Sequence, residues 1–251
     1  MSGHSKWSSI KHKKGAADAK RGKLFSKLAR AIIVAAREGG PDPAGNLALQ
    51  NAIEKARSYS MPKDNIERAI ARGSGTSADS QAFEQITYEG YGPSGVAIIV
   101  EALTDNRNRT ASEVRHVFSK FDGNLGTSGA VAWLFERRGV ILVDGDRFDE
   151  DEVTLAAAEG GADDVERDGS TLQVTTSPEE LTAVREALEQ AGVEADSAEI
   201  TMVPKTTIQL DNESAVRKTL RLIDALDELD DVSDVYSNFD IPEHLLEAVE
   251  T

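Results

Sequence analysis

One short segment divides this chain into two parts that obey different apolar periods. Residues 73–80 read GSGTSADS, the polar, glycine-rich composition of a flexible joint. Before it, apolar residues recur at helical spacing in three runs: Phe25, Leu28, Ile32 and Ala35, then Leu49, Ala52, Ile53 and Ala56, then Ile66, Ala69 and Ile70. Such runs are the signature of amphipathic helices. Gly39-Gly40 stops the first, Asp42-Pro43 offers a cap and a first-turn proline for the second, and Pro62 opens a third that Gly73 closes as a C-terminal cap. Residues 23–75 are therefore expected to form a three-helix domain.

Beyond the joint, strands enter. Ala82–Gly90 and Val96–Leu103 read as two strands around the turn Tyr91–Gly95. Thr110-Ala111-Ser112-Glu113 is a capping-box pattern for a helix to about Phe121, with Val114, Val117, Phe118 and Phe121 inward. A loop with Gly123, Gly126 and Gly129 leads to a strand at Ala130–Phe135. From Gly139 the order is strand (Val140–Val143), helix (Asp149–Gly160), two strands about Asp168-Gly169, helix (Pro178–Ala191) and strand (Glu199–Val203). That β-α-β-β-α-β order is the ferredoxin-like unit. A strand at Thr207–Leu210, a helix at Glu213–Leu229 and a strand at Asp234–Phe239 then return to the sheet begun earlier. The expected fold class is α+β: a basic arm (1–22), a three-helix domain (23–75), and an α/β middle domain split into 81–137 and 204–247. A second α/β domain, ferredoxin-like, is inserted in it at 138–203.

Charge is distributed as unevenly as period. The chain has 251 residues and a net charge of −16. Residues 1–37 hold ten Lys and Arg against Asp18 alone, a net +9, while residues 139–251 hold seven bases against thirty acids, a net −23. The field of such a molecule turns the basic end toward a polyanion and the acidic end away. Beyond Met1, residues 1–22 contain only Trp7 and Ile10 as large apolar side chains. That is too little apolar surface to offset ordering entropy, so the arm is expected to be mobile until it meets a partner.

Several function classes are excluded by counting. There is no cysteine, which removes disulfides, cysteine-ligated metals and thiol catalysis. The four histidines, His4, His12, His116 and His244, have no metal-ligand spacing. No P-loop, GxSxG or dinucleotide fingerprint occurs. The longest uncharged stretch, Gly123–Phe135, is thirteen residues, short of the roughly eighteen that span a membrane. The reading is of a cytoplasmic chain with no membrane, metal or cofactor, and not an enzyme.

Binding fits the residues better. Lys6, Lys11, Lys13, Lys14, Lys20, Arg21 and Lys23 can neutralise phosphates, while Trp7 and His12 offer flat faces to an exposed base. A second candidate is Thr104–Thr110, where Arg107 and Arg109 stand beside a helix N-terminus suited to an anion. The competing reading has those arginines paired with nearby acids. Gly123–Gly129 can likewise cradle a phosphate through backbone N–H groups or serve as a plain connection.

Three long segments carry a family resemblance: GHSKWSSIKHKKGAADAKRGKLFSKLAR, MPKDNIERAIARGSG, and YEGYGPSGVAIIVEALTDNRNRTASEVRHVFSKFDGNLGTSGAVAWLFERRG. The chain resembles the YebC/PmpR family, which has a mitochondrial relative in the translational activator of cytochrome c oxidase. The resemblance implies three domains, one inserted in another. It implies a nucleic-acid-binding regulator of gene expression, by the usual description a DNA-binding transcriptional regulator. Other members are described as ribosome-associated factors that aid translation through difficult stretches such as proline runs. The partner is accordingly DNA or ribosomal RNA, met through the basic arm, with the transcription machinery or the ribosome as a further contact.

Overall fold

The computed structural model of the chain describes residues 18–75, 83–242 and 245. Most of the basic arm and of the glycine-rich joint lies outside these residues.

Three helices come first: α1 (Asp18–Gly39), α2 (Leu47–Ser58) and α3 (Lys63–Gly73). Their apolar stripes meet in one core in which Ile32 and Leu49 are fully buried. Asp42-Pro43 does not open α2; it caps a single 3-10 turn at Pro43–Gly45. Asn46 is the cap instead, because it serves both helix ends at once. Its Oδ1 accepts the Leu49 N–H at 3.1 Å, and its Nδ2 donates to the carbonyls of Ala35 at 2.7 Å and Gly40 at 2.8 Å. Gly73 ends α3, but its role is close approach. A Cβ there would lie 2.5 Å from the Ile33 carbonyl oxygen and 2.7 Å from the Ala36 Cβ, so glycine is what lets α3 rest on α1.

The chain continues through β1 (Glu84–Tyr91), β2 (Ala97–Thr104), α4 (Arg107–Lys120) and β3 (Asn124–Leu125). It then runs through β4 (Phe135–Asp144), α5 (Glu150–Glu159), β5 (Asp164–Asp168), β6 (Thr171–Thr176), α6 (Leu181–Gln190) and β7 (Ala195–Pro204). Last come β8 (Ile208–Gln209), α7 (Glu213–Asp227), β9 (Val232–Ser237) and β10 (Phe239–Asp240). Phe135–Lys205 form one compact unit, and the described residues on either side of it form the other.

In the flanking unit, β3, β1, β2 and β9 make an antiparallel sheet in that order. Ile98 and Val100 of β2 pack with Val114 and Phe118 of α4 and with Leu222 and Leu226 of α7. The return to this sheet is made by β9 alone. β8, expected to join it, pairs in parallel with β10 instead, Ile208 opposite Phe239. Two further expectations are corrected here. The helix cap is Asn106, whose side chain accepts the Arg109 N–H at 3.1 Å, and not Thr110, which is buried and bonded elsewhere. Residues 132–134 form a 3-10 turn rather than a strand, and the strand expected to end at Phe135 begins there.

The unit Phe135–Lys205 is a β-α-β-β-α-β fold with antiparallel sheet order β5-β6-β4-β7. Ile141, Val143, Leu172 and Val174 on one sheet face meet Val153 of α5 and Leu188 of α6. Alternation along the strands puts these four on the same side. The first and last strands pair from end to end, Phe135 opposite Pro204.

Candidate nucleic-acid interface

Helix α1 carries Lys23, Lys27 and Arg30 at spacings of four and three, which places all three on one face. The C-terminal turn of α7 lies against that face. Its last turn contains no basic residue of its own, so its carbonyls and the helix dipole are left to an outside cation. Lys27 Nζ donates to the Asp227 carbonyl and stands 3.5 Å from the Asp227 carboxylate. Lys23 reaches the Glu228 carbonyl at 3.4 Å and the Asp230 carboxylate at 3.5 Å. Arg30 donates to Asp231 Oδ1 at 3.0 Å. Lys55 of α2 adds a contact of 2.7 Å to Asp234.

Asp231 is the centre of this arrangement, with a side chain only 3% exposed. Its Oδ2 accepts from Arg109 Nη2 at 2.6 Å, Thr110 Oγ1 at 2.8 Å and Thr104 Oγ1 at 3.1 Å. Burial pushes this carboxyl up, but the hydrogen bonds from Arg109, Thr110 and Thr104 and the arginine's charge outweigh it and hold the group below the usual aspartate range. Arg109 also donates to Asp105 at 2.8 Å, and its own pKa is driven up, chiefly by the hydrogen bond to Asp231. One buried carboxylate thus ties α1, β2, α4 and the turn after α7 together.

The two arginines proposed from sequence to share an anion have different surroundings. Arg109 is engaged with Asp231 and Asp105, while Arg107, 69% exposed, stands 3.7 Å from Glu84. Lys20 and Arg21 lie in the first turns of α1. Lys23 sits at the exposed edge of the α7 contact. Lys6, Trp7, Lys11, His12, Lys13 and Lys14 are outside the described residues. A cavity of about 790 Å³ opens between α1, α3 and the start of α4. Lys23, Arg30, Arg72 and Arg109 in its wall are matched by Asp105, Glu113, Glu228, Asp230 and Asp231, a balance that gives a polyanion no net attraction.

Beyond Arg107, which the sequence put forward, the rest of the outer face of α4 escaped sequence reasoning: Ser112, Arg115, His116 and Lys120 are exposed with it. The signal was present: the period that turns Val114, Val117 and Phe118 inward turns these residues outward.

The glycine-rich loop does form a ring of inward backbone donors, and it is filled from within. Glu89 of β1, 5% exposed, accepts the N–H groups of Gly129 at 2.6 Å, Val131 at 2.8 Å and Ala132 at 2.7 Å. Burial raises this carboxyl, and the three N–H bonds more than reverse the effect and leave it below the usual glutamate range. The place a phosphate was proposed to take is held by a carboxylate of the chain itself.

Residues 5–76 match the family domain described as the TACO1/YebC protein N-terminal domain, and residues 83–239 match the TACO1/YebC second and third domain. The chain belongs to the TACO1/YebC family. A relative in Rubrobacter xylanophilus is 59% identical over 249 residues, covering 99% of each chain. One in Halothermothrix orenii is 53% identical over 251 residues, also covering 99% of each. Both are named probable transcriptional regulatory protein. The crystal structure of a conserved hypothetical protein from Aquifex aeolicus superposes with a TM-score of 0.80 at 52% identity, covering 90% of this chain and 93% of that one. This TACO1/YebC chain has, among the described residues, no group of three acidic or histidine side chains placed to hold a metal ion. Among the same residues no helix is long and apolar enough to cross a membrane.

Proposed function

We propose that this TACO1/YebC chain is a non-enzymatic, cytoplasmic regulator of gene expression that binds nucleic acid through its basic N-terminal residues. The observation that carries the reading is the +9 charge of residues 1–37 on a chain of net −16. Lys23, Lys27 and Arg30 are engaged with the α7 turn, so the cations assigned to phosphate are chiefly Lys6, Lys11, Lys13, Lys14, Lys20 and Arg21. Trp7 and His12 add flat faces for bases, and Arg107, with the outer face of α4, is a second, weaker contact. The relatives' name supports DNA as the polyanion, in transcription. Ribosomal RNA, in translation, is the second reading, favoured by the mixture of lysines with Trp7 and His12, which suits unpaired bases.

Replacing Lys11, Lys13 and Lys14 together with Glu is expected to abolish association with nucleic acid and leave the thermal melt unchanged. Unchanged binding would remove the arm from the mechanism. With about five phosphates contacted, log affinity for duplex DNA falls with log salt at a slope of about −4 to −5. Sucrose-gradient sedimentation of lysate separates the two partners. Co-migration with ribosomes that is lost in the triple variant assigns translation, and crosslinking to discrete chromosomal sites without ribosomes assigns transcription.

A further inference from the structure

The described residues expose three large apolar side chains: Tyr91 at 39%, Trp133 at 65% and Leu155 at 66%. The first two belong together. Trp133 Nε1 donates to the Ala130 carbonyl at 3.2 Å, and Tyr91 Oη donates to the same oxygen at 3.1 Å. Each aromatic ring therefore has its polar edge fixed, with most of Trp133 and about two-fifths of Tyr91 open to solvent. Ala130 is itself immobilised, because Glu89 holds the N–H groups of Gly129, Val131 and Ala132 on either side of it. An exposed tryptophan on a loop is ordinarily free to turn; this one is braced from below by a buried carboxylate.

The surroundings determine what such a pair can receive. Gly123–Leu134 carries no charge, so the site exerts no pull of its own on a phosphate. No other large apolar side chain of this unit is exposed among the described residues, so the pair lacks the several hundred Å² of apolar surface that a protein partner covers. A single planar group needs neither. Stacking on an aromatic face is complete with one ring, and it is indifferent to base identity. The exposed Thr127 and Ser128 make no internal side-chain hydrogen bond among the described residues, which leaves polar groups for the edge of a base.

We infer that Trp133 and Tyr91 form a stacking site for an unpaired nucleobase, distinct from the basic arm. The inference rests on the nucleic-acid-binding reading above, and it narrows the ligand to a strand with unpaired bases. The arm supplies charge attraction; the aromatic pair distinguishes single strand from duplex. Glu89 is a positioning residue for this site.

The test uses the full chain, an oligouridylate of about twelve nucleotides, within the span of known single-strand sites, and a blunt duplex of equal length. Trp133→Ala is expected to weaken binding of the single strand by about five- to 150-fold, the range of one lost stack, and to leave duplex binding and the salt slope unchanged. Trp133→Phe, which keeps a ring, restores most of the loss. Photocrosslinking with 5-iodouridine in the oligonucleotide maps to Trp133 or Tyr91. If Trp133→Ala binds single strand as the wild type does while the Lys11, Lys13 and Lys14 variant does not, the stacking site is refuted and nucleic-acid binding stands. If the wild type binds neither probe, both fall.

Discussion

Two buried carboxylates, Glu89 and Asp231, tie separate parts of the flanking unit together, and each does so by collecting several donors. Glu89 takes three backbone N–H groups from one loop, and Asp231 takes four side-chain donors from three elements. Amide replacement keeps the size but puts an NH₂ against a donor. Glu89→Gln and Asp231→Asn are each expected to cost about 1–3 kcal/mol at pH 7, the penalty for stranding buried polar groups. Both carboxyls are held below their ordinary values, so their contribution is complete above the unfolded pKa values, about 4.3 for Glu and 3.9 for Asp. It is lost as pH falls through the lower folded values. The gap between wild type and either variant should therefore be widest at neutral pH and close on acidification below about pH 4. Urea denaturation across that range measures it, and a gap independent of pH would show that the charge is not what stabilises.

Among elements, helix α1 performs two tasks with cations that composition cannot tell apart. Arg30 and Lys27 hold the turn after α7, whereas the cations N-terminal to Lys23 are assigned to phosphate. Arg30→Ala should lower stability by about 1–2 kcal/mol, since it leaves part of buried Asp231 unpaired, and should change nucleic-acid affinity little. The lysine triple variant should do the reverse. A loss of binding in Arg30→Ala with an unchanged melt would reassign this face to the ligand. The helices themselves are legible because each has an unbroken apolar stripe: Leu28 and Ile32, Leu49 and Ile53, Val114 and Phe118, which the helical period turns inward, are all buried. Helix starts were not, wherever two caps competed. Thr110 satisfies the capping-box pattern, but burial beside Asp231 claims its hydroxyl, and Asn106 takes the cap. At Ala130–Phe135 the apolar run imitated a strand, since periodicity has no means of registering that Glu89, some forty residues earlier, binds the N–H groups there. The aromatic pair was illegible for the same reason: nothing local distinguishes a buried Trp133 from an exposed one.

At the scale of the whole molecule, the net charge is concentrated in one compact unit. Phe135–Lys205 contain six Lys and Arg against nineteen Asp and Glu, a net −13 out of −16, and the unit has a core of its own. Its terminal strands pair with Phe135 opposite Pro204, so the two points at which it joins the rest of the chain are adjacent. Replacing residues 135–205 with a short glycine–serine linker should therefore leave the flanking unit folded, because the sheet β3-β1-β2-β9 and its helices draw nothing from the excised strands. What changes is charge: the remainder carries −3 instead of −16. If the acidic unit acts only as a repulsive field on a polyanion held by the arm, its removal should raise affinity most at low salt. At about 10 mM, charges act over roughly 30 Å, whereas at 0.15 M the reach is near 8 Å and the advantage should largely vanish. Titrating the excised and full-length proteins with duplex DNA at both salt concentrations measures this. Equal affinities at low salt would show that the acidic unit exerts no field at the binding site, and a loss of affinity at both would show that it makes contacts of its own.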